Sequence, residues 1–149
     1  MLKKLRERSG SESGFTLIEL LVVMLILGIL AAIAIPAFLN QKTKASDASA
    51  KAHARTALTS LETYATDNGS NGYTSATPSA LKTIEPSLNS STNLTVTVTD
   101  SDTAAVRADN ATPNPDQTFT ITRDGGATTA SCTVQGSGGC PNGGNWFGG

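Results

Sequence analysis

The chain is poor in the residue types from which most catalytic and metal sites are built. Its 149 residues include one histidine and two cysteines. His53 lies between Ala52 and Ala54, with no second histidine and no nearby cysteine to complete a zinc site. The sequence also lacks a G-x-S-x-G motif, a Cys-His pairing and a phosphate-binding glycine loop. We therefore expect neither an enzyme nor a bound cofactor.

Positive charge is scarce outside the first 14 residues. Residues 1–14 carry four basic and two acidic side chains, and the rest of the chain carries seven basic and ten acidic ones. Such a balance gives no general attraction to nucleic acid. Five aspartates offer possible calcium ligands, but their spacing does not fit an EF-hand and favours turns. They are Asp100, Asp102, Asp109, Asp116 and Asp124.

Polar side chains are absent from twenty consecutive residues, Leu20 to Leu39. At about 1.5 Å per residue, a helix of this length covers roughly 30 Å, the thickness of a hydrocarbon core. The alternative is a removable secretory signal with Ala32-Ile33-Ala34 as its cleavage site. Against that alternative, the apolar run is long for a signal and continues past the site through Pro36 to Leu39. We interpret the run as a membrane-spanning segment.

A single carboxylate, Glu19, stands at the head of this segment, just after a Gly14-Phe15 junction that ends the basic stretch. A charged residue near the centre of a membrane helix costs roughly 2.5–3.5 kcal/mol, and less near the interface, so Glu19 needs a role. One role is local, because Thr16-x-x-Glu19 fits the capping-box pattern. A role between subunits is the other, and the two are compatible.

The orientation in a membrane is not decided by the basic residues. Four precede the apolar run and four follow it within about twenty residues, a tie under the positive-inside rule. Cys132 and Cys140 lie beyond the run in a Thr-rich region. An even cysteine pair indicates a disulfide in an exported domain. We therefore expect the N-terminus inside and the C-terminal domain outside.

Helical periodicity continues beyond the apolar run. Apolar residues spaced by three or four mark one helix face: Ala50, Ala54, Leu58, Leu61 and Ala65. Asp47 and Lys51 form an i,i+4 pair on another face. The helix should begin at Phe15 and end at Asp67-Asn68-Gly69, and a short helix is possible over Ser79 to Ile84.

Alternation with period two predicts strands in the remainder of the chain. Apolar residues alternate with Thr or Ser in three segments: Leu94 to Val98, Phe119 to Ile121 and Cys132 to Val134. Turns are predicted at residues 100–102 and 124–126. The predicted fold is α+β, with a long N-terminal helix whose amphipathic half packs on a small antiparallel sheet. Trp146 and Phe147, in a Gly-rich tail, either fold onto the core or contact another molecule.

Together these features resemble the type IV pilins, most specifically over residues 14 to 39. The resemblance implies a leader over residues 1–14, a transmembrane and filament-core helix over 15–39, and an extracellular part over 40–149. It also implies that a prepilin peptidase cuts after Gly14 and methylates Phe15. Glu19 would then face the terminal amine of a neighbouring subunit, and Cys132 and Cys140 would be joined.

The function implied is that of a structural subunit of a type IV pilus. Its partners would be further copies of itself, the prepilin peptidase and the assembly machinery. It would reside in the cytoplasmic membrane before assembly and in the extracellular filament afterwards. A pseudopilin of a type II secretion system, or a minor competence pilin, is an alternative, since residues 61–73 are similar to major pseudopilins. Thr74 stands where those proteins have proline. A monomeric membrane-anchored binding protein is a third interpretation.

Overall fold

The structure, a computed structural model, describes residues 14–91, 93–109 and 116–147. It has the predicted α+β fold, with one long helix followed by a four-stranded antiparallel sheet. The predicted leader lies outside the described residues except for Gly14. The helices are α1 (Leu17–Asn68) and α2 (Pro78–Ile84), and the strands are β1 (Leu94–Val98), β2 (Thr103–Asp109), β3 (Thr118–Asp124) and β4 (Ala127–Cys132).

Helix α1 is 52 residues long and continues through Pro36. It begins two residues later than predicted, because Phe15 and Thr16 precede the first helical turn. It ends as predicted at Asn68, where a 3₁₀ turn, Gly69–Asn71, follows. Gly69 has a φ of 59°, a conformation that glycine adopts more readily than residues with a Cβ.

Contacts divide the chain into two units at residues 38 and 39. In the first unit, residues 17–38 form the apolar part of α1, and residues 14–16 precede it. The second unit contains the rest of α1, helix α2 and the sheet.

The sheet is a meander in which each strand pairs with the next along the chain. Val96 lies opposite Val106, and Ile121 lies opposite Ala130, so apolar side chains of neighbouring strands share one face. The turns predicted at residues 100–102 and 124–126 join these strands. Strand β2 was not predicted. The prediction for the last strand was partly wrong, since β4 begins at Ala127 and Val134 lies beyond it.

The core lies between this face and one side of α1 in the second unit. The helix contributes mostly alanines, which let the helix backbone approach the sheet closely: Ala50, Ala54, Ala57 and Leu61, all buried. Larger buried side chains come from the sheet and from the α2 region: Val106, Phe119, Ile121, Leu81 and Leu88. Helix α2 begins one residue before the predicted Ser79, because Thr77 caps it by accepting a hydrogen bond from the Ala80 amide.

Candidate functional site

The first turn of α1 is closed by a reciprocal capping box. The Thr16 amide and hydroxyl both donate to Glu19 Oε2, at 2.9 and 2.7 Å, and the Glu19 amide donates to Thr16 Oγ1 at 3.3 Å. The Leu20 amide donates to the Thr16 carbonyl at 3.3 Å. These bonds satisfy amide groups that have no partner within the helix. The local role predicted for Glu19 is therefore present in the structure.

The capping box occupies one oxygen of the Glu19 carboxylate. Both bonds from Thr16 reach Oε2, and no donor among the described residues contacts Oε1. A carboxylate offers about four acceptor positions on its two oxygens. Glu19 can therefore cap its own helix and still accept a hydrogen bond from another molecule.

The helix that follows presents an apolar surface all round. Every leucine, isoleucine, valine, methionine and phenylalanine from Phe15 to Leu39 is exposed, and Phe15 itself is 82% exposed. Contiguous apolar surface of this extent marks a membrane or protein contact. In the described part of the chain, α1 is the one helix long and apolar enough to cross a membrane. An N-terminal signal sequence has a similar length and apolar composition.

Nothing in the described part of the chain packs against Gly28. A Cβ built on it meets no atom within 4 Å. Glycine inside a helix is roughly 0.5–1 kcal/mol less favourable than alanine, and in membranes small residues allow helices to approach closely. A glycine at this position would allow a second helix to pack closely against α1.

The start of the chain matches a sequence motif known from other proteins. The prokaryotic N-terminal methylation motif matches residues 10–35, which include the Gly14-Phe15 junction, the capping box and most of the apolar run.

The chain carries the N-terminal methylation motif.

Two curated relatives are similar to the chain over part of its length. The type II secretion system core protein G of Pseudomonas aeruginosa is 42% identical over 57 residues, which are 38% of this chain and 40% of that protein. The type IV wide pilus major component PilA4 of Thermus thermophilus is 47% identical over 62 residues, 42% of this chain and 46% of that protein. The chain thus matches less than half the length of either relative. No solved structure is significantly similar to it.

Outside the methylation motif, the predicted disulfide between Cys132 and Cys140 is confirmed. It joins the end of β4 to the C-terminal loop, with the two Cα atoms 5.9 Å apart. The Cys132 amide also donates to the Gly144 carbonyl at 2.9 Å. The disulfide and this hydrogen bond fasten the Gly-rich tail to the sheet.

The same loop is held to α1 by Asp47 and Lys51, which we call the loop clamp. The fully buried Asp47 accepts from the Gly139 amide at 2.6 Å, and the Lys51 ammonium donates to the Gly139 carbonyl. Burial lowers the pKa of Lys51, and the nearby Asp47 carboxylate opposes that shift. The interpretation of Asp47 and Lys51 as an ordinary helix pair was thus incomplete, because both side chains reach a residue about ninety positions away.

Trp146 follows the first of the two interpretations, and Phe147 does not. Trp146 is buried, lies edge-on to Phe119 with ring centres 5.7 Å apart, and donates to the Ser131 carbonyl at 2.9 Å. The Arg55 guanidinium lies 5.2 Å from its ring centre. Phe147 remains 41% exposed. The tail therefore completes a core that has few aromatic side chains.

The remaining candidates have local roles. Asp100 Oδ1 accepts from the Asp102 amide at 2.8 Å, and this bond lowers the pKa of Asp100. Asp124 accepts from the Thr103 hydroxyl at 3.3 Å, and His53 contacts Ser90 at 3.1 Å. Within the described ranges, no three metal-binding side chains are grouped. Of the predicted site residues, Gly14, Phe15 and Glu19 lie together at the start of α1, and the cysteines lie in the second unit.

Proposed function

We propose that the chain is a structural subunit of a type IV pilus, cut after Gly14, methylated on Phe15 and polymerised through its N-terminal helix. The observation that carries the proposal is the coincidence of the methylation motif with a capped Glu19 at the head of an exposed apolar helix. The similarity to a major pilus component of Thermus thermophilus supports it. The role is structural, and neither relative is named as an enzyme.

The chemistry of assembly follows from the charge that processing creates. Cleavage after Gly14 leaves an ammonium on Phe15, four residues before Glu19. In an axially staggered bundle of helices, the amine of one subunit reaches the carboxylate of another, and Glu19 Oε1 is available to accept it. Removing one partner of a buried ion pair typically costs about 3–5 kcal/mol. A loss of that size at every subunit would stop polymer growth.

The apolar helix occupies two environments in succession, the membrane and then the filament. Before assembly it spans the cytoplasmic membrane, with the leader and the peptidase at the cytoplasmic face and residues 40–149 outside. After assembly the same surface packs against helices of other subunits, where Gly28 allows close approach. The assembly machinery would extract the processed chain from the bilayer.

Three variants separate the capping role of Glu19 from the assembly role. Glu19→Gln keeps an oxygen for the cap and removes the charge, whereas Thr16→Ala removes the capping hydroxyl and keeps the charge. Glu19→Ala removes both. We expect few filaments from both Glu19 variants and nearly normal numbers from Thr16→Ala. Surface filaments are counted by electron microscopy at membrane levels matched by immunoblot. Normal numbers from Glu19→Gln would refute the assembly role.

A pseudopilin of a type II secretion system is the second candidate, because a core protein of such a system in Pseudomonas aeruginosa is similar to the chain. Deleting the gene distinguishes the two. Loss of surface filaments with normal protein export is expected of a pilus subunit. Accumulation of exported proteins in the periplasm, with surface filaments unchanged, would favour the pseudopilin.

A further inference from the structure

The chain contains three Asn-Gly pairs, at residues 68–69, 71–72 and 142–143. Asparagine is among the chemically labile residues. It is lost most easily before glycine, because glycine has no side chain to keep its amide nitrogen away from the asparagine carboxamide. The reaction needs a free carboxamide, a free glycine amide and contact with solvent. The structure places the three pairs in different surroundings.

Hydrogen bonds hold the first two pairs. The Asn68 carboxamide donates to the carbonyls of Gly72 and Thr74 at 3.0 and 3.1 Å. In the second pair, the Gly72 amide donates to the Gly69 carbonyl at 3.1 Å, and the Asn71 carbonyl accepts from the Thr74 amide at 3.0 Å. Neither pair can bring its reacting groups together unless this part of the fold opens locally.

The third pair, Asn142 and Gly143, is not held in this way. Both residues are exposed, in a turn closed by a 2.9 Å hydrogen bond from the Gly144 amide to the Pro141 carbonyl. Within residues 14–91, 93–109 and 116–147, no hydrogen bond engages the Asn142 carboxamide, which lies beside Gly136, or the Gly143 amide. The two reacting groups of this pair are therefore unrestrained by hydrogen bonds and open to water.

We propose that Asn142 is a site of spontaneous modification, converted through a cyclic imide formed with Gly143. The Gly143 amide gives its proton to solvent, and its nitrogen bonds to Asn142 Cγ. The Cγ–Nδ2 bond breaks, and the departing nitrogen takes a proton from solvent and leaves as ammonia. Water then opens the imide at either carbonyl, giving aspartate or isoaspartate. The net reaction consumes water, releases ammonia and adds a negative charge, and it does not depend on the proposed function.

Isoaspartate at this position would displace the C-terminal tail. It lengthens the main chain by the asparagine Cβ, between Pro141 and Gly144. Gly144 is buried, and its carbonyl accepts from the Cys132 amide at 2.9 Å, so the longer turn would move this acceptor away from the end of β4. Trp146 follows two residues later and is itself buried. We therefore expect the modified tail to loosen and to expose Trp146 to water.

The test follows all three pairs in the full-length, detergent-solubilised protein. Samples are kept in mildly alkaline buffer, either folded or in denaturant, and are then digested with trypsin. The digest contains residues 56–82, with the first two pairs, and residues 124–149, with the third. Mass spectrometry with fragmentation measures conversion at each asparagine, and an isoaspartyl methyltransferase labels the isoaspartate. The matched variant is Gly143→Ala, because a Cβ built on Gly143 meets no atom within 4 Å.

We expect Asn142 to convert about tenfold faster than Asn68 and Asn71 in the folded protein, because those two react only after local opening. In denaturant the three should convert at similar rates. Gly143→Ala should slow conversion at Asn142 about tenfold, since the added Cβ hinders closure of the imide. Equal rates at the three sites in the folded protein, or the same preference for Asn142 in denaturant, would overturn the assignment.

The emission of Trp146 tests the effect on the tail in the same samples. Its maximum should move to longer wavelength as isoaspartate accumulates, because the indole becomes exposed to water. Gly143→Ala kept for the same time should retain the emission of fresh protein. An unshifted maximum in converted protein would overturn the expected loosening of the tail.

Discussion

Replacing Asp47 with alanine should loosen the C-terminal loop from α1 and lower the stability of the second unit. The change removes a buried carboxylate and leaves the Gly139 amide without its acceptor. Hydrogen bonds to charged groups contribute about 1.5–3 kcal/mol. At about 4 °C per kcal/mol for a unit of this size, Asp47→Ala should lower Tm by roughly 6–12 °C.

Fluorescence of Trp146 measures this change locally. It is the single tryptophan of the chain, and the Lys51 ammonium lies 5.7 Å from its ring centre. Detergent-solubilised full-length protein is heated while the emission maximum is followed. Asp116→Ala, at an exposed aspartate, is the matched control and should melt with the unmodified protein. The Tm of Asp47→Asn should lie between those of Asp47→Ala and the unmodified protein, since asparagine keeps one acceptor and loses the charge.

A second substitution tests the same contact from the loop side. A Cβ built on Gly139 lies 2.9 Å from the Cβ of Asp47, closer than side chains pack. Gly139→Ala should therefore lower Tm as well, and the effects of Gly139→Ala and Asp47→Ala should be less than additive because the residues are in contact. A Tm for Asp47→Ala within about 2 °C of the unmodified protein, equivalent to about 0.5 kcal/mol, would refute the loop clamp.

Two further predictions concern the second unit. Cys140→Ser opens the nine-residue loop closed by the disulfide and, by the loop-entropy relation, lowers the free energy of unfolding by about 2.5 kcal/mol. The Tm of this variant should therefore fall by roughly 10 °C in the same assay, without loss of membrane insertion. A free thiol titrating in the unmodified exported protein would contradict the disulfide. Burial and the hydrogen bond to Glu62 raise the pKa of Tyr73 above 10.0. Its stabilising contribution is complete below pH 10.0 and is lost as pH rises through the folded-state pKa, so alkaline unfolding should be less steep for Tyr73→Phe. Identical alkaline profiles would be evidence against that assignment.

The elements that the sequence predicted best are those encoded by near neighbours. The capping box needs two residues three positions apart, Thr16 and Glu19, and the end of α1 needs Asn68 followed by Gly69. Strand β2 was missed because Ala104 and Ala108 occupy two of its buried positions. Alanine has little strand preference, so the alternation of β2 carried a weak signal.

The loop clamp was missed for a different reason. Asp47 and Lys51 look like any i,i+4 helix pair, and nothing in their neighbourhood shows that Gly139 will lie between them. The contact depends on the disulfide and on Trp146, which bring the tail back to the helix. The sequence feature that marks this contact is the Gly138-Gly139 pair, because the Asp47 side chain leaves no space for a Cβ at either glycine. Contacts between residues so distant in the chain follow from the packing of the whole unit.

The mass of the subunit in sheared surface filaments tests the central claim most directly. Our account predicts a chain that begins at Phe15, carries one added methyl group and retains the Cys132–Cys140 disulfide. Such a mass would show processing and polymerisation of the same molecule. A chain that begins at Met1 or at Ile35, or filaments without this protein, would contradict the account.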